Sequence, residues 1–385
     1  MRIGLICLVA AYVLSQFYRA FLAVLAPALQ ADIGAGPDDL ALASGIWFLT
    51  FAVMQIPVGA ALDSIGPRRT AVGLFALGGA GGALLFALAQ SPLHLTLAMG
   101  LIGIGCAPIL MAAYYIFARS FPPAVFATLA AAIIGFGSLG NIAGSTPLAW
   151  AVDQFGWRQA MGGLGASTLF IAGLLWVTLQ DPPRMPRQPG SVLDVLRLKS
   201  LWPIFAMMFV CYAPAAGLRA LWAGPYAADT YGADAAGIGR LTLVMGLAMV
   251  AGNFAYGPLD RWLGTRKWVI LLGNLGVVVG CLALALWPGM GLWPATLAFA
   301  AVGFCGASFG IVIAHGRAFV PSHLTGRGVT LLNLFGIAGA GIAQVLTGRL
   351  HAAMGPAPYP AIFLYFGMTT ALGLAAYLLS QDRTD

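Results

Sequence analysis

The stretch "GAALDSIGPRRT" (Gly59–Thr70) returns about 200 residues later as "GPLDRWLGTRKW" (Gly257–Trp268), one residue longer between the aspartate and the basic pair. Both copies lie between long apolar runs. Other echoes keep the same offset. "ARSFPP" (Ala118–Pro123) returns as "GRAFVP" (Gly316–Pro321), and "NIA" at Asn141 returns as "GIA" at Gly341. "YRAFLAVLAP" (Tyr18–Pro27) returns as "LRALWAGP" (Leu218–Pro225), so Arg19 has a counterpart in Arg219. The chain reads as two similar halves.

The apolar runs say where those halves live. The 385 residues are 60% hydrophobic and 8% charged, with mean hydropathy +0.90, whereas a soluble domain carries about 25% charged residues. Twelve runs have helix-spanning length, roughly at 3–30, 40–62, 69–89, 91–118, 124–150, 158–179, 201–228, 237–259, 267–287, 293–315, 326–347 and 357–380. The first is too long for a removable signal peptide and lacks a small-residue cleavage site. The expectation is an all-α integral membrane protein with twelve transmembrane helices in two pseudo-symmetric six-helix bundles. The proline- and charge-rich "DPPRMPRQPGSVLDVLRLKS" (Asp181–Ser200) separates them, giving bundles at 1–180 and 201–385 and a linker at 181–200. Parallel halves of this kind are a secondary-transporter architecture, with the binding site at the midplane.

The net charge of +7 follows from topology and does not point to nucleic acid. With twelve spans, the termini and the even-to-odd loops share one side, which holds fourteen of the 19 basic residues; the other side holds Arg158, Arg240 and Arg349. Positive loops stay in the cytoplasm, so both termini are expected there, in a multi-pass protein of a bacterial-type inner (plasma) membrane. The partners expected are the lipid bilayer and a small-molecule or ion substrate, with the chain a monomer. The five cysteines all fall in apolar runs, without disulfide or zinc spacing. No nucleophile–base pair, phosphate loop or metalloprotease spacing appears, so neither an enzyme nor a cofactor is expected.

Gly59, Asp63, Gly66, Arg68 and Arg69 resemble the loop between helices two and three of the major facilitator superfamily, of the form G-x-x-x-D-[RK]-x-G-x-[RK]-[RK], with Ser64 departing from the usual basic residue. The resemblance implies the twelve-helix fold, transport by alternating access, and a gating role for this loop and for its echo at Asp260, Arg261, Arg266 and Lys267. An aspartate near a helix end can pair with cations and helix-terminal charges in one state and lose them in the other. The glycine-rich "GFGSLGNIAGSTP" (Gly135–Pro147) is similar to the fifth-helix motif of the superfamily's antiporters, and close helix packing explains it equally. All twelve acidic residues are aspartates placed in loops or at helix ends, so no mid-membrane carboxylate is available to carry protons. Met99 stands where proton-linked members often have arginine, four residues before Gly103.

Two substrates compete. Ten uncharged residues follow Arg19, about 15 Å of helix, in a bilayer core about 30 Å thick. Arg219 lies at a similar depth. Charges are expensive there and mark function. The two guanidiniums, converging from equivalent helices, offer forked donors suited to a small organic anion, and some exchangers of the superfamily resemble this pairing. Tyr18, Gln16, Trp47, Gln55, Trp222 and Tyr226 are the expected lining. Alternatively each arginine bonds helix-end carbonyls or snorkels outward. The second candidate is Cu(I). Met245 and Met249 share a helix face, and thioethers prefer that ion. Their segment, with the loop after it, looks like the CcoA-like copper importers, a group overlapping sequences labelled riboflavin transporters (RfnT-like). The importers' His-x-x-x-Met motif is missing here, with Cys211 a possible replacement, and core packing also explains a methionine pair. A transporter-shaped sensor or assembly partner that moves nothing is a third reading.

Overall fold

The computed structural model describes residues 2–121, 123–182, 192–321, 324–355 and 358–383, with side chains except at 2, 63, 118, 123–128, 130, 131, 257, 258, 260, 261, 325 and 326. The described residues are helical throughout, without a strand. They form two compact units, residues 1–186 with 234–240 and residues 187–233 with 241–385.

In the first unit the helices are α1 (Arg2–Phe17), α2 (Leu22–Ile33), α3 (Pro37–Ser64), α4 (Pro67–Leu74), α5 (Gly81–Ala87), α6 (Pro92–Ser120), α7 (Pro123–Ala143), α8 (Thr146–Phe155) and α9 (Trp157–Thr178). A π-helical segment, Phe75–Ala80, joins α4 to α5. The second unit has α10 (Val192–Leu196), α11 (Trp202–Cys211), α12 (Ala213–Gly217), α13 (Ala223–Tyr231), α14 (Ala235–Leu263), α15 (Lys267–Leu286), α16 (Leu292–Cys305), α17 (Phe309–Arg317), α18 (Thr325–Met354) and α19 (Pro358–Tyr377). A π turn, Leu218–Trp222, joins α12 to α13. Among the described residues ten helical stretches are long and apolar enough to cross a bilayer, and α1 with α2 makes up to eleven. The fifth expected run, 124–150, falls on α7 and α8, where several side chains lie outside the described residues.

The first expected span differs from a single helix: it bends by 52° between α1 and α2. The amides of Arg19 and Ala20 bond three residues back, to Gln16 and Phe17, instead of four, and Pro27 removes a further rung about two turns on. Ordinary capping explains the next start. Pro37 occupies the first turn of α3, and the Asp39 carboxylate accepts from the Gly36 amide at 3.0 Å.

The repeat seen in the sequence is also a repeat of contacts. A side chain on Gly140 of α7 would overlap the Val13 carbonyl oxygen of α1, and one on Gly339 of α18 would overlap that of Phe209 in α11. Likewise Gly103 of α6 lies on the Trp47 carbonyl of α3, and Gly303 of α16 lies on the Met245 carbonyl of α14. Backbones this close depend on small residues, which is how helices associate where no water drives them together. Met245 therefore stands in its unit where Trp47 stands in the other.

Candidate functional site

In the first unit Arg19 sits in the irregular turn between α1 and α2, half-buried. Its guanidinium lies over Phe51 at 4.8 Å and Trp47 at 5.3 Å from the ring centres, a cation–π arrangement worth about 0.5–2 kcal/mol. The two rings stack at 5.2 Å. Trp47, Phe51 and Gln55 follow one another at four-residue spacing on α3, so they form one face. Three buried polar atoms here have no hydrogen-bond partner: Nε of Arg19, Nε1 of Trp47 and Oε1 of Gln55. Each such atom costs about 1–3 kcal/mol. Together they make a surface able to meet a polar ligand.

The expected neighbours Tyr18 and Gln16 are engaged elsewhere. The Tyr18 hydroxyl shares a 2.8 Å hydrogen bond with the Thr168 hydroxyl of α9, fully buried. Gln16 donates to the Tyr12 hydroxyl at 3.0 Å.

In the second unit Arg219 is 3% exposed, within the π turn. Its Nη2, Nε and Cζ atoms lie 3.0, 3.1 and 3.3 Å from where a Cβ on Gly246 of α14 would be. Any side chain at 246 would move the guanidinium. Met245 and Met249 flank this glycine in sequence, and their Cγ atoms each lie 3.1 Å from a Cβ built on Gly303. Their positions on α14 correspond to those of Trp47 and Phe51 on α3, but the thioethers pack on Gly303 whereas the two rings lie against Arg19. Cys211 is fully buried, its thiol directed to the Met208 carbonyl at 3.7 Å. Trp222 donates from Nε1 to the Thr347 hydroxyl at 2.9 Å and stacks on His351 at 5.2 Å. Tyr226 packs against Phe299, Tyr359 and Phe363, and its hydroxyl meets Tyr231 and the Pro288 carbonyl.

The two echoed loops have a partner that the motif alone does not reveal. Gly66 takes φ +105°, and Pro67 starts α4 immediately after it. The Asp181 carboxylate, just beyond α9, accepts from the Arg68 amide at 2.7 Å. The Arg68 guanidinium lies 4.8 Å over Trp176. The second unit repeats the device. Asp382, just beyond α19, accepts from the amides of Arg266 at 3.2 Å and Lys267 at 3.0 Å, and from the Thr265 hydroxyl. Lys267 Nζ donates to the Leu378 and Ser380 carbonyls, both at 2.7 Å. Burial pushes the Asp382 carboxyl up, but the Thr265 hydroxyl and the two amides outweigh it and hold its pKa below the ordinary value. Gly59 faces open space and Arg69 is exposed. The side chains of Asp63, Asp260 and Arg261 lie outside the described residues. A signal for the two caps was present: the dipeptide Gln180–Asp181 is echoed by Gln381–Asp382.

The chain as a whole is similar to several known proteins. The uncharacterized transporter YybO of Bacillus subtilis (strain 168) is 26% identical over 268 residues, 64% of this chain and 61% of that protein. Monocarboxylate transporter 11 of Homo sapiens is 29% identical over 360 residues, 84% of this chain and 74% of that one. The mouse form is 30% identical over 281 residues, covering 68% and 61%. The chain thus spans about three fifths of the YybO and mouse proteins. Among solved structures, the inward-facing, occupied form of a bacterial homologue of the human lysosomal transporter Spinster superposes with a TM-score of 0.77 at 19% identity, over 97% of this chain and 95% of that one. A D-xylose–proton symporter gives 0.76 at 14% identity, over 97% and 95%. Residues 8–222 match the Major Facilitator Superfamily, and this multi-pass membrane chain belongs to that family.

Proposed function

We propose that this protein is a secondary transporter of small organic anions, with Arg19 and Arg219 as the groups that meet the anion. The observation that carries the proposal is the equivalence of the two arginines. Each sits at the corresponding place in its repeat, in an irregular turn ahead of a proline, eight residues before Pro27 and six before Pro225. Each is held against a neighbouring helix away from any membrane end. A buried guanidinium is costly unless compensated, and a carboxylate satisfies its fork better than any neutral ligand. Trp47 and Gln55 join Arg19, and Trp222 joins Arg219. Tyr18 and Gln16, bonded to Thr168 and Tyr12, and Tyr226, bonded to Tyr231 and the Pro288 carbonyl, would have to exchange those partners to meet the anion. That a relative carries the name monocarboxylate transporter supports a carboxylate as the anionic group. Twelve spans in two six-helix bundles (1–180 and 201–385, joined by 181–200), alternating access, a monomeric state and an inner membrane with both termini cytoplasmic complete the proposal.

The copper alternative retains the shared face of Met245 and Met249. Against it, Arg219 lies on the glycine between them, and a fixed cation repels a second one. A kinship with the CcoA-like group rests on that loop segment alone, and a non-transporting sensor leaves the duplicated gating loops without a task.

The deciding measurement is uptake of ¹⁴C-labelled acetate, butyrate and benzoate, and of ⁶⁴Cu, into proteoliposomes of the wild type, Arg19→Ala and Arg219→Ala. Anion uptake lost in both variants supports the proposal. Copper uptake without anion uptake defeats it.

A further inference from the structure

Gln344 lies within α18, completely buried, and both Oε1 and Nε2 of its side chain are without a hydrogen-bond partner. Among the described residues it is the one amide side chain left so at both atoms. A buried primary amide has two donors and one acceptor to satisfy, and leaving all of them unmet is costly.

Its position follows from the contacts around it. α18 runs beside the helix made of α11, α12 and the π turn. Gly336 and Gly339 meet Met208 and Phe209, and further along Thr347 and His351 meet Trp222. Both helices therefore ascend together. Three residues back from Thr347 is Gln344, and three residues back from Trp222 is Arg219. Gln344 and Arg219 share one level of the second unit. Gly336, Ala340, Gln344, Thr347 and His351 recur at three- and four-residue spacing, so Gln344 belongs to the stripe that faces the Arg219 helix.

A carboxylate held by Arg219 can accept from Nε2 of Gln344, but it cannot give a proton to Oε1. A group that satisfies the whole amide must both accept and donate. We infer that Gln344 is a specificity-determining residue that reads an uncharged hydroxyl or carboxamide carried by the same anion that Arg219 holds, an inference that rests on the anion transport proposed above.

The test uses the full chain in proteoliposomes and five labelled probes: butyrate, its 2-, 3- and 4-hydroxy derivatives, and succinamate. The wild type is expected to take up at least one hydroxylated or amide probe about tenfold faster than butyrate, the scale of one hydrogen bond to a buried polar group. Gln344→Leu, which keeps the volume, should bring that ratio close to one. Removing an amide that has no partner should leave the melting temperature of the apo protein level or raised. Gln344→Met is the second variant should leucine impair folding. A preference that survives both substitutions, or butyrate uptake dependent on Arg219 with no preference at all in the wild type, overturns this inference and leaves the anion proposal standing. No uptake of any of the five probes refutes both.

Discussion

The carboxylate of Asp181 accepts a 2.7 Å hydrogen bond from the backbone amide of Arg68, so a residue that follows one helix caps the start of another. The cap lies in the echoed loop itself, two residues after the left-handed Gly66, whose Cα faces the same carboxylate. Asp181→Ala should cost about 0.5–2 kcal/mol, the usual worth of an N-cap. It should also lower transport by more than it lowers the amount of folded protein. Melting temperature and initial uptake rate on the same preparations check this. Equal uptake per folded molecule would reduce Asp181 to a purely stabilising cap.

The matching cap by Asp382 carries a pH signature. Its pKa is held below the ordinary 3.8, so its contribution to stability is complete above that value and is lost as the pH falls through the lower, folded-state pKa. Asp382→Asn should therefore be less stable than the wild type from neutrality down to about pH 4, and the difference should shrink as the medium becomes more acidic. Melting temperatures from neutrality to well below about pH 4 decide it. A difference that grows on acidification contradicts the cap.

Much of the architecture was legible in the amino-acid order. Apolar runs located the spans, and the echoed loops announced two halves because duplicated segments keep their helix contacts: Gly103 on Trp47 and Gly303 on Met245 are one contact made twice. The irregular turns at Arg19 and Arg219 were not legible. In both an arginine precedes a proline, by eight residues at Pro27 and by six at Pro225, yet one turn tightens to three-residue hydrogen bonds and the other widens to a π turn. The role of Met245 and Met249 was hidden as well. Spacing identifies a shared face but not what lies on it, and Gly303 is distant in sequence.

The thioethers invite a direct comparison. Met245→Leu with Met249→Leu keeps volume and apolar character, and each such exchange costs under about 1.5 kcal/mol in a packed core. Met245→Ala should cost about 2–5 kcal/mol. Thermal denaturation of both variants, with ⁶⁴Cu uptake alongside, separates packing from ligation. Loss of copper uptake in the leucine variant at undiminished stability would favour ligation.

Gly246 offers a way to shift the Arg219 guanidinium without replacing it. A methyl group there meets the Arg219 guanidinium at 3.0 Å, so Gly246→Ala displaces the charge without touching it chemically. Anion uptake should fall at least tenfold, while Gly310→Ala, a helical glycine with open space around it, serves as the control. Wild-type uptake in Gly246→Ala would detach Arg219 from the transported anion.

The break at Arg19 and the π turn at Arg219 give two similar segments unlike mechanics. A helix interrupted at 52° is a joint: it can flex there while its two rods stay rigid. A helix that carries a widened turn is a screw with one slack thread. Tightening Leu218–Trp222 to α geometry would rotate everything beyond it by about 100°, one residue's worth of helical turn, carrying Trp222 and Tyr226 around the axis. Equivalent arginines thus sit on a bending element in one half and a turning element in the other.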